Sequence, residues 1–202
     1  MKKVALFLFL TGLLGRAQGW QNNYDGPLNF NCPAGQSISS ITSENSNHHE
    51  DRRWDFGCQA TFGQSAECYW TNYVNDFDQA LLFECPAEHV MAGMSSYHNN
   101  YFEDRRWRFY CCRSPCVTRD CHWTSYVNSF DEYFTWTAPS RSVLVGAQSY
   151  HQNHEEWVQF IYLLVMLFLI SNMRSYFKSS MSDRVLCCSL MLHFFQRSTV
   201  EV

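Results

Sequence analysis

The sequence predicts an all-β body built on an internal repeat of about 53 residues. Three observations predict it. A charged-then-aromatic run is spelled twice, as EDRRWDFGC at 50–58 and EDRRWRFYC at 103–111. Flanking segments repeat at the same offset: FNCPAGQSISSITS at 30–43 with FECPAEHVMAGMSS at 83–96, ECYWTNYVNDFD at 67–78 with DCHWTSYVNSFD at 120–131, and SSYHNNYFE at 95–103 with QSYHQNHEE at 148–156. Apolar residues inside the runs alternate with polar or small ones, which is the period of a strand.

Each element follows from that unit. In Trp54-Asp55-Phe56-Gly57-Cys58 and Trp107-Arg108-Phe109-Tyr110-Cys111 the alternation is read as Trp, Phe and Cys on one face and the arginines on the other. ISSI at 38–41 and CYWTNYV at 68–74 are further short strands, bounded by Pro, Gly and Asn. No segment between 20 and 156 carries a helical stripe. Two full repeats and the opening of a third are present, so a three-fold arrangement is expected. A β-prism and a β-trefoil both fit, and the prism is preferred.

The start, MKKVALFLFLTGLLGRAQGW, has two lysines, a short apolar run and an A-x-G site. It reads as a secretory signal peptide over 1–19, too short to anchor in a bilayer. Without it, residues 20–202 carry 12 Lys and Arg against 19 Asp and Glu. A net acidic chain is a poor nucleic-acid partner, and any polyanion contact must come from a local arginine cluster.

Ten cysteines follow the leader: 32, 58, 68, 85, 111, 112, 116, 121, 187 and 188. An even, dense set in an exported chain reads as disulfides. A zinc site from Cys112, Cys116, Cys121 and His122 is the weaker rival. The neighbours Cys111 and Cys112 point to opposite faces of a strand and need separate partners. Cys32–Cys58 is the simplest first pair; several connectivities remain for the rest.

The leader, the repeat length, the Cys-Pro openings, the Asp-Arg-Arg-Trp runs and the Cys111-Cys112 doublet together resemble the dermatopontin family, with its invertebrate haemagglutinin/amebocyte aggregation factor relatives. The resemblance covers about 20–156. It implies the pairs Cys32–Cys58, Cys68–Cys111 and Cys85–Cys112, and bonds from Cys116 and Cys121 to cysteines near the C-terminus. It also implies a secreted extracellular-matrix protein with neither catalysis nor cofactor. The expected partners are dermatan-sulfate proteoglycan, collagen and cell-surface receptors, and the expected work is collagen fibril organisation and cell adhesion. The aggregation-factor branch implies lectin-like agglutination instead.

The third charged run is due at 157 but does not arrive. The chain has Trp157 and then VQFIYLLVMLFLI. Residues 20–156 hold eight Arg and no Lys, whereas 157–202 hold four basic and two acidic residues around a long apolar run. The domain plan expected is therefore a leader at 1–19, a repeat domain at 20–156 and an atypical apolar tail at 157–202, read as the product of altered splicing or gene prediction in preference to a divergent functional tail. The run is too short for a stable membrane span. One strand and its buried Trp are expected to be missing. Cys116 and Cys121 are expected to lack their usual partners unless Cys187 and Cys188 substitute.

Arg52, Arg53, Arg105, Arg106 and Arg108 are the candidate ligand-binding residues, suited to bidentate contact with sulfated glycans. Their competing role is pairing with the neighbouring acids Glu50, Asp51, Glu103 and Asp104, which is the favoured reading. Trp54 and Trp107 are assigned to the core. His48, His49, His98, His151 and His154 are read as polar loop residues, with no metal site expected. No catalytic motif appears, and the acids Asp76, Asp78, Asp131 and Glu132 read as solvated turn residues. The function expected is non-catalytic binding, with low affinity per repeat raised by several sites or by homo-oligomers.

Overall fold

Alternation governs this chain, and every regular element described is a strand. The computed structural model describes residues 19–115, 117, 121–152 and 157–166. In chain order the strands are β1 Leu28–Asn31, β2 Gln36–Ser46, β3 Asp51–Ala60, β4 Cys68–Trp70, β5 Leu81–Glu84, β6 His89–Asn99, β7 Asp104–Arg113, β8 Cys121–Trp123, β9 Phe134–Thr137, β10 Ser142–Gln152 and β11 Trp157–Met166. Among the described residues no helix is long and apolar enough to cross a membrane. Residues 1–18 of the expected 1–19 leader, Cys116, His154 and everything beyond Met166 lie outside the described residues.

The strands form three sheets, each centred on a long antiparallel hairpin: β3-β2-β9, β1-β6-β7-β4 and β5-β10-β11-β8. Each hairpin receives its short flanking strand from a different part of the chain. β9 pairs with β2, β1 with β6, and β5 with β10. The register repeats with the sequence offset. Ser43 faces Trp54, Ser96 faces Trp107, and Ser149 faces Phe160. Each long hairpin also carries a register shift at the matching place, Ile38/Ser40, Met91/Gly93 and Leu144/Gly146. A bulge of this kind bends and twists the strand.

The inner faces meet in one cluster that includes Leu28, Ile41, Trp54, Phe56, Leu81, Met94, Trp107, Phe109, Phe134 and Leu144. Trp54 meets Trp107 edge-on, with centroids 5.2 Å apart. Phe30 stacks on Phe56 at 4.5 Å, and Phe83 stacks on Phe109 at 4.8 Å. An aromatic side chain of this kind removes about 150–250 Å² from water, so a few of them dominate a core this small.

Among the described residues three disulfides close the body, and two differ from the expected pairing. Cys32 bonds Cys58 as expected. Cys85 bonds Cys111 rather than Cys112, and Cys68 bonds Cys112 rather than Cys111. Strand parity explains the change. Cys111 shares the inward face of Trp107 and Phe109, and joins the core beside Cys85 as Cys58 does beside Cys32. Cys112 faces away, and sits directly opposite Cys68 in the β4–β7 pairing. Both Cys111 and Cys112 are buried. Cys121 is exposed at the position matching Cys68, with Val165 opposite it instead of a cysteine.

The last strand is the second correction. A strand was expected to be missing after Glu156, yet β11 runs from Trp157 to Met166 and pairs with both β10 and β8. Backbone pairing asks for a strand-forming sequence, and Trp-Val-Gln-Phe-Ile-Tyr supplies one. What the segment does not supply is the charged run. Trp157 and Val158 hold the positions of Asp104 and Arg105.

Candidate functional site

The aspartate and the first arginine of each charged run turn inward. Asn22 accepts from Trp54 N at 2.9 Å and donates to Arg52 O at 3.0 Å; Asn75 does the same for Trp107 N at 2.8 Å and Arg105 O at 2.9 Å. Asp51 accepts from Asp25 N, and Asp104 accepts from Asp78 N. The aspartate thus fastens the preceding loop, where Asp25 and Asp78 take left-handed backbone at φ 60°. Asn22 and Asn75 carried no signal in the sequence beyond their 53-residue spacing.

Arg52 and Arg105 follow the same inward face, which corrects the reading that placed the arginines opposite the tryptophans. They lie two residues from Trp54 and Trp107, so period two puts them on the same side. Both are buried. Arg52 donates to Ser43 Oγ at 2.9 Å and to Glu132 O at 2.6 Å. Arg105 donates to both carboxylate oxygens of Asp51, to Ser96 Oγ and to Gly26 O. Arg105 pairs with an acid, but with Asp51 of the preceding repeat rather than with its own neighbour Asp104; the contacts of Arg52 are a hydroxyl and a backbone carbonyl.

His98 completes this hub and corrects its reading as a polar loop residue. Its side chain is 1% exposed. Nδ1 lies 3.4 Å from Asp51, and Nε2 lies 3.1 Å from Glu103 and 3.9 Å from Asp25. Burial opposes the imidazolium, but the Asp51 and Glu103 carboxylates outweigh it and raise the His98 pKa. Burial likewise opposes the Asp51 carboxylate, yet the adjacent His98 imidazole and the Arg105 guanidinium hold it well below the usual carboxylate range. A cleft lined by charged residues of the hub, among them Asp51, Arg52, His98 and Arg105, and by Trp54 and Trp107 opens beside it.

The second arginine of each run, and Arg108, turn outward. Arg53 donates twice to Glu44 Oε2, at 3.0 and 2.7 Å, and lies over the rings of Trp20 and Tyr24. Arg106 donates to Asn75 O, pairs with Asp76 at 2.9 Å and lies over Tyr73. Arg108 donates to Ser95 Oγ and lies over Trp70 and Tyr73. The five candidate arginines therefore do not form one cluster. Two are buried ties and three are guanidiniums set among surface aromatics. Among the described residues no group of three or more His, Cys, Asp or Glu is arranged to hold a metal. Cys112 is committed to Cys68, which removes it from the zinc reading.

The described residues thus form a disulfide-bonded all-β scaffold that displays guanidinium–aromatic faces. The dermatopontin family model matches residues 22–164, and the chain belongs to that family. The match runs past Glu156 into β11. The hemagglutinin/amebocyte aggregation factor of Limulus polyphemus is 46% identical over 159 residues, 77% of this chain and 92% of that protein. Millepora cytotoxin-1 of Millepora dichotoma is 42% identical over 67% of this chain and 61% of its own length. Dermatopontin of Biomphalaria glabrata is 39% identical over 62% of this chain and 84% of its own. No solved structure matches the chain.

Proposed function

We propose that this is a secreted, non-catalytic extracellular-matrix protein that binds anionic glycans of proteoglycans, and collagen, in support of matrix assembly and cell adhesion. The observation that carries the reading is the outward set Arg53, Arg106 and Arg108, each lying over aromatic rings. A guanidinium so placed keeps donors for a sulfate or carboxylate, and the ring limits its motion. Binding at each repeat is weak, and two faces on one rigid body raise it by effective concentration. The hairpin units are proposed to surround a common axis in a prism-like, three-fold arrangement, supported by the exchange of short strands between sheets. The residues from 157 are proposed to be an atypical tail whose first ten residues serve as a strand.

Cell agglutination is the second reading, favoured by the Limulus relative that carries that name at 46% identity. Chromatography on immobilised dermatan sulfate separates the two. Salt-sensitive retention that is lost in Arg53→Gln/Arg106→Gln/Arg108→Gln supports the matrix reading. Erythrocyte agglutination inhibited by simple sugars, with no retention on dermatan sulfate, replaces it with the lectin.

A further inference from the structure

Five aromatic rings form a continuous ladder at the tip of the β6–β7 hairpin. Tyr73 meets Tyr97 edge-on at 5.0 Å, and Tyr97 meets the edge of Phe77 at 5.5 Å. Phe77 stacks on Phe102 at 4.8 Å with planes 9° apart, and Phe102 meets Tyr101 edge-on at 4.9 Å. The last rung is the most open: Tyr101 is 86% exposed and Phe102 38%. The fold has no evident use for a tyrosine held out in water at a hairpin tip, and contiguous exposed aromatics mark interaction sites.

The outer three rungs of the ladder recur one repeat earlier in different residues, whereas the position of Tyr97 is held there by Glu44. Tyr24 stacks on His49 at 4.8 Å with planes 8° apart, and His48 meets His49 edge-on at 5.0 Å. Each ring lies 53 positions before its counterpart. Phe on Phe has become Tyr on His, yet the stacking is unchanged. A packing requirement would keep the rings apolar. What persists is a flat ring offered to solvent beside a guanidinium, Arg53 in one repeat and Arg106 in the other.

The occupant must bring an apolar face to the rings and polar groups to their rim. The rim holds the exposed Asn100 and Asp76, the latter paired with Arg106, which also reaches Tyr97 Oη at 3.4 Å. A pyranose fits both demands, with C–H bonds on its face and hydroxyls at its edge. A lipid surface fits less well, because Asp76 and Glu103 set carboxylates beside the rings and oppose anionic headgroups.

We propose that this ladder is a sugar-stacking site for pyranose units of a glycan, with Tyr101 and Phe102 as the contact rings, and that Tyr24, His48 and His49 form a second copy. The proposal rests on the glycan-binding reading and assigns part of it to rings rather than to charge. The test compares the full chain with Tyr101→Ala/Phe102→Ala on immobilised neutral glycans in concentrated NaCl, where charge contacts are screened. The full chain is expected to bind a subset of them, and the variant to bind about tenfold more weakly. Tyr101→Phe is expected to retain binding, because it keeps the ring. Retention of both proteins on dermatan sulfate at low salt reads the arginine faces separately, so that result can fail while the ladder stands. No neutral-glycan binding by the full chain, or equal binding by the double variant, overturns the proposal. So does a double variant whose one defect is binding to phosphatidylcholine–phosphatidylserine vesicles.

Discussion

Arg105 grips Asp51 across a repeat boundary, donating from Nε to Oδ1 at 2.6 Å and from Nη2 to Oδ2 at 2.7 Å. Both side chains are buried, and the pair ties β7 to the start of β3. Removing Arg105 takes away both donors of the two-pronged contact and leaves the buried Asp51 carboxylate to His98 and the Asp25 N–H. Arg105→Ala is therefore expected to destabilise the fold by about 3–5 kcal/mol. Arg105→Lys is expected to recover little, because an ammonium cannot reproduce the two-pronged contact. Urea unfolding measures both; a loss under about 1 kcal/mol for the alanine variant would show that the tie is idle.

The same hub sets a pH dependence. The groups facing His98 are Asp25, Asp51 and Glu103, and its cross-strand partner Arg105, which shares Asp51 Oδ1 with it. The raised His98 pKa contributes stability that is fully present below the ordinary imidazole value of about 6.5 and is lost as pH rises through the folded value. The lowered Asp51 pKa contributes stability that is present above the ordinary value of about 3.9 and is lost as pH falls through the folded one. Thermal melting is expected to be highest in the interval between these ordinary values and to decline on the alkaline side. His98→Gln should flatten the alkaline decline; an unchanged slope would assign it elsewhere.

The cystine pattern can be read chemically. Non-reducing peptide mapping, with fragmentation between Cys111 and Cys112, is expected to give Cys85–Cys111 and Cys68–Cys112. In the chain-entropy model, loops of 26 and 44 residues contribute about 3.5–4 kcal/mol each. The double variant Cys68→Ser/Cys112→Ser is expected to lose close to that amount. Recovery of Cys68–Cys111 instead would place Cys111 on the outer face and undo the parity account.

Much of this was legible in the sequence, and the gaps have physical causes. The offset between Trp54 and Trp107 gives the repeated hairpin, and the alternation of Trp, Phe and Cys gives the inward face. Parity also put Arg52 and Arg105 on that inward face, but a charged residue reads as exposed until its buried partner is known. That partner, Asp51 for Arg105, comes from the preceding repeat, so neighbour-based reasoning could not supply it. His98 was hidden in the same way, because nothing local marks the three carboxylates around it. β11 was missed because loss of the charged motif was taken as loss of the strand, although backbone pairing depends on strand propensity rather than on Asp-Arg-Arg-Trp.

Inward and outward arginines should separate binding from stability. Arg53 pairs with Glu44 while both side chains are about one-third exposed, and such surface pairs contribute about 0–1 kcal/mol. Arg53→Gln is expected to reduce retention on dermatan sulfate while the unfolding midpoint hardly moves. Arg52→Gln removes a buried tie to Ser43 and Glu132, and should lower the midpoint clearly. Equal stability losses in the two variants would contradict the two-faced arrangement.

Gly93 tests how closely the sheets are joined. It sits at the bulge in β6, opposite Asn31 of β1. A Cβ there would lie 2.6 Å from Phe30 O and 2.9 Å from Asn31 Cβ, closer than van der Waals contact allows. Relief requires moving β1, whose Phe30 is stacked on Phe56 against the core. Gly93→Ala is expected to cost about 1–3 kcal/mol by overpacking. Gly57, at the corresponding bulge in the first hairpin, meets the side chain of Ser40, which can rotate away, so Gly57→Ala should cost less. Gly63 has open space around it and serves as the control. Thermal unfolding of the three variants is expected to rank them Gly93, Gly57, Gly63 in order of loss. A Gly93→Ala protein as stable as the Gly63→Ala protein would mean that β1 is not held against the second hairpin at this distance.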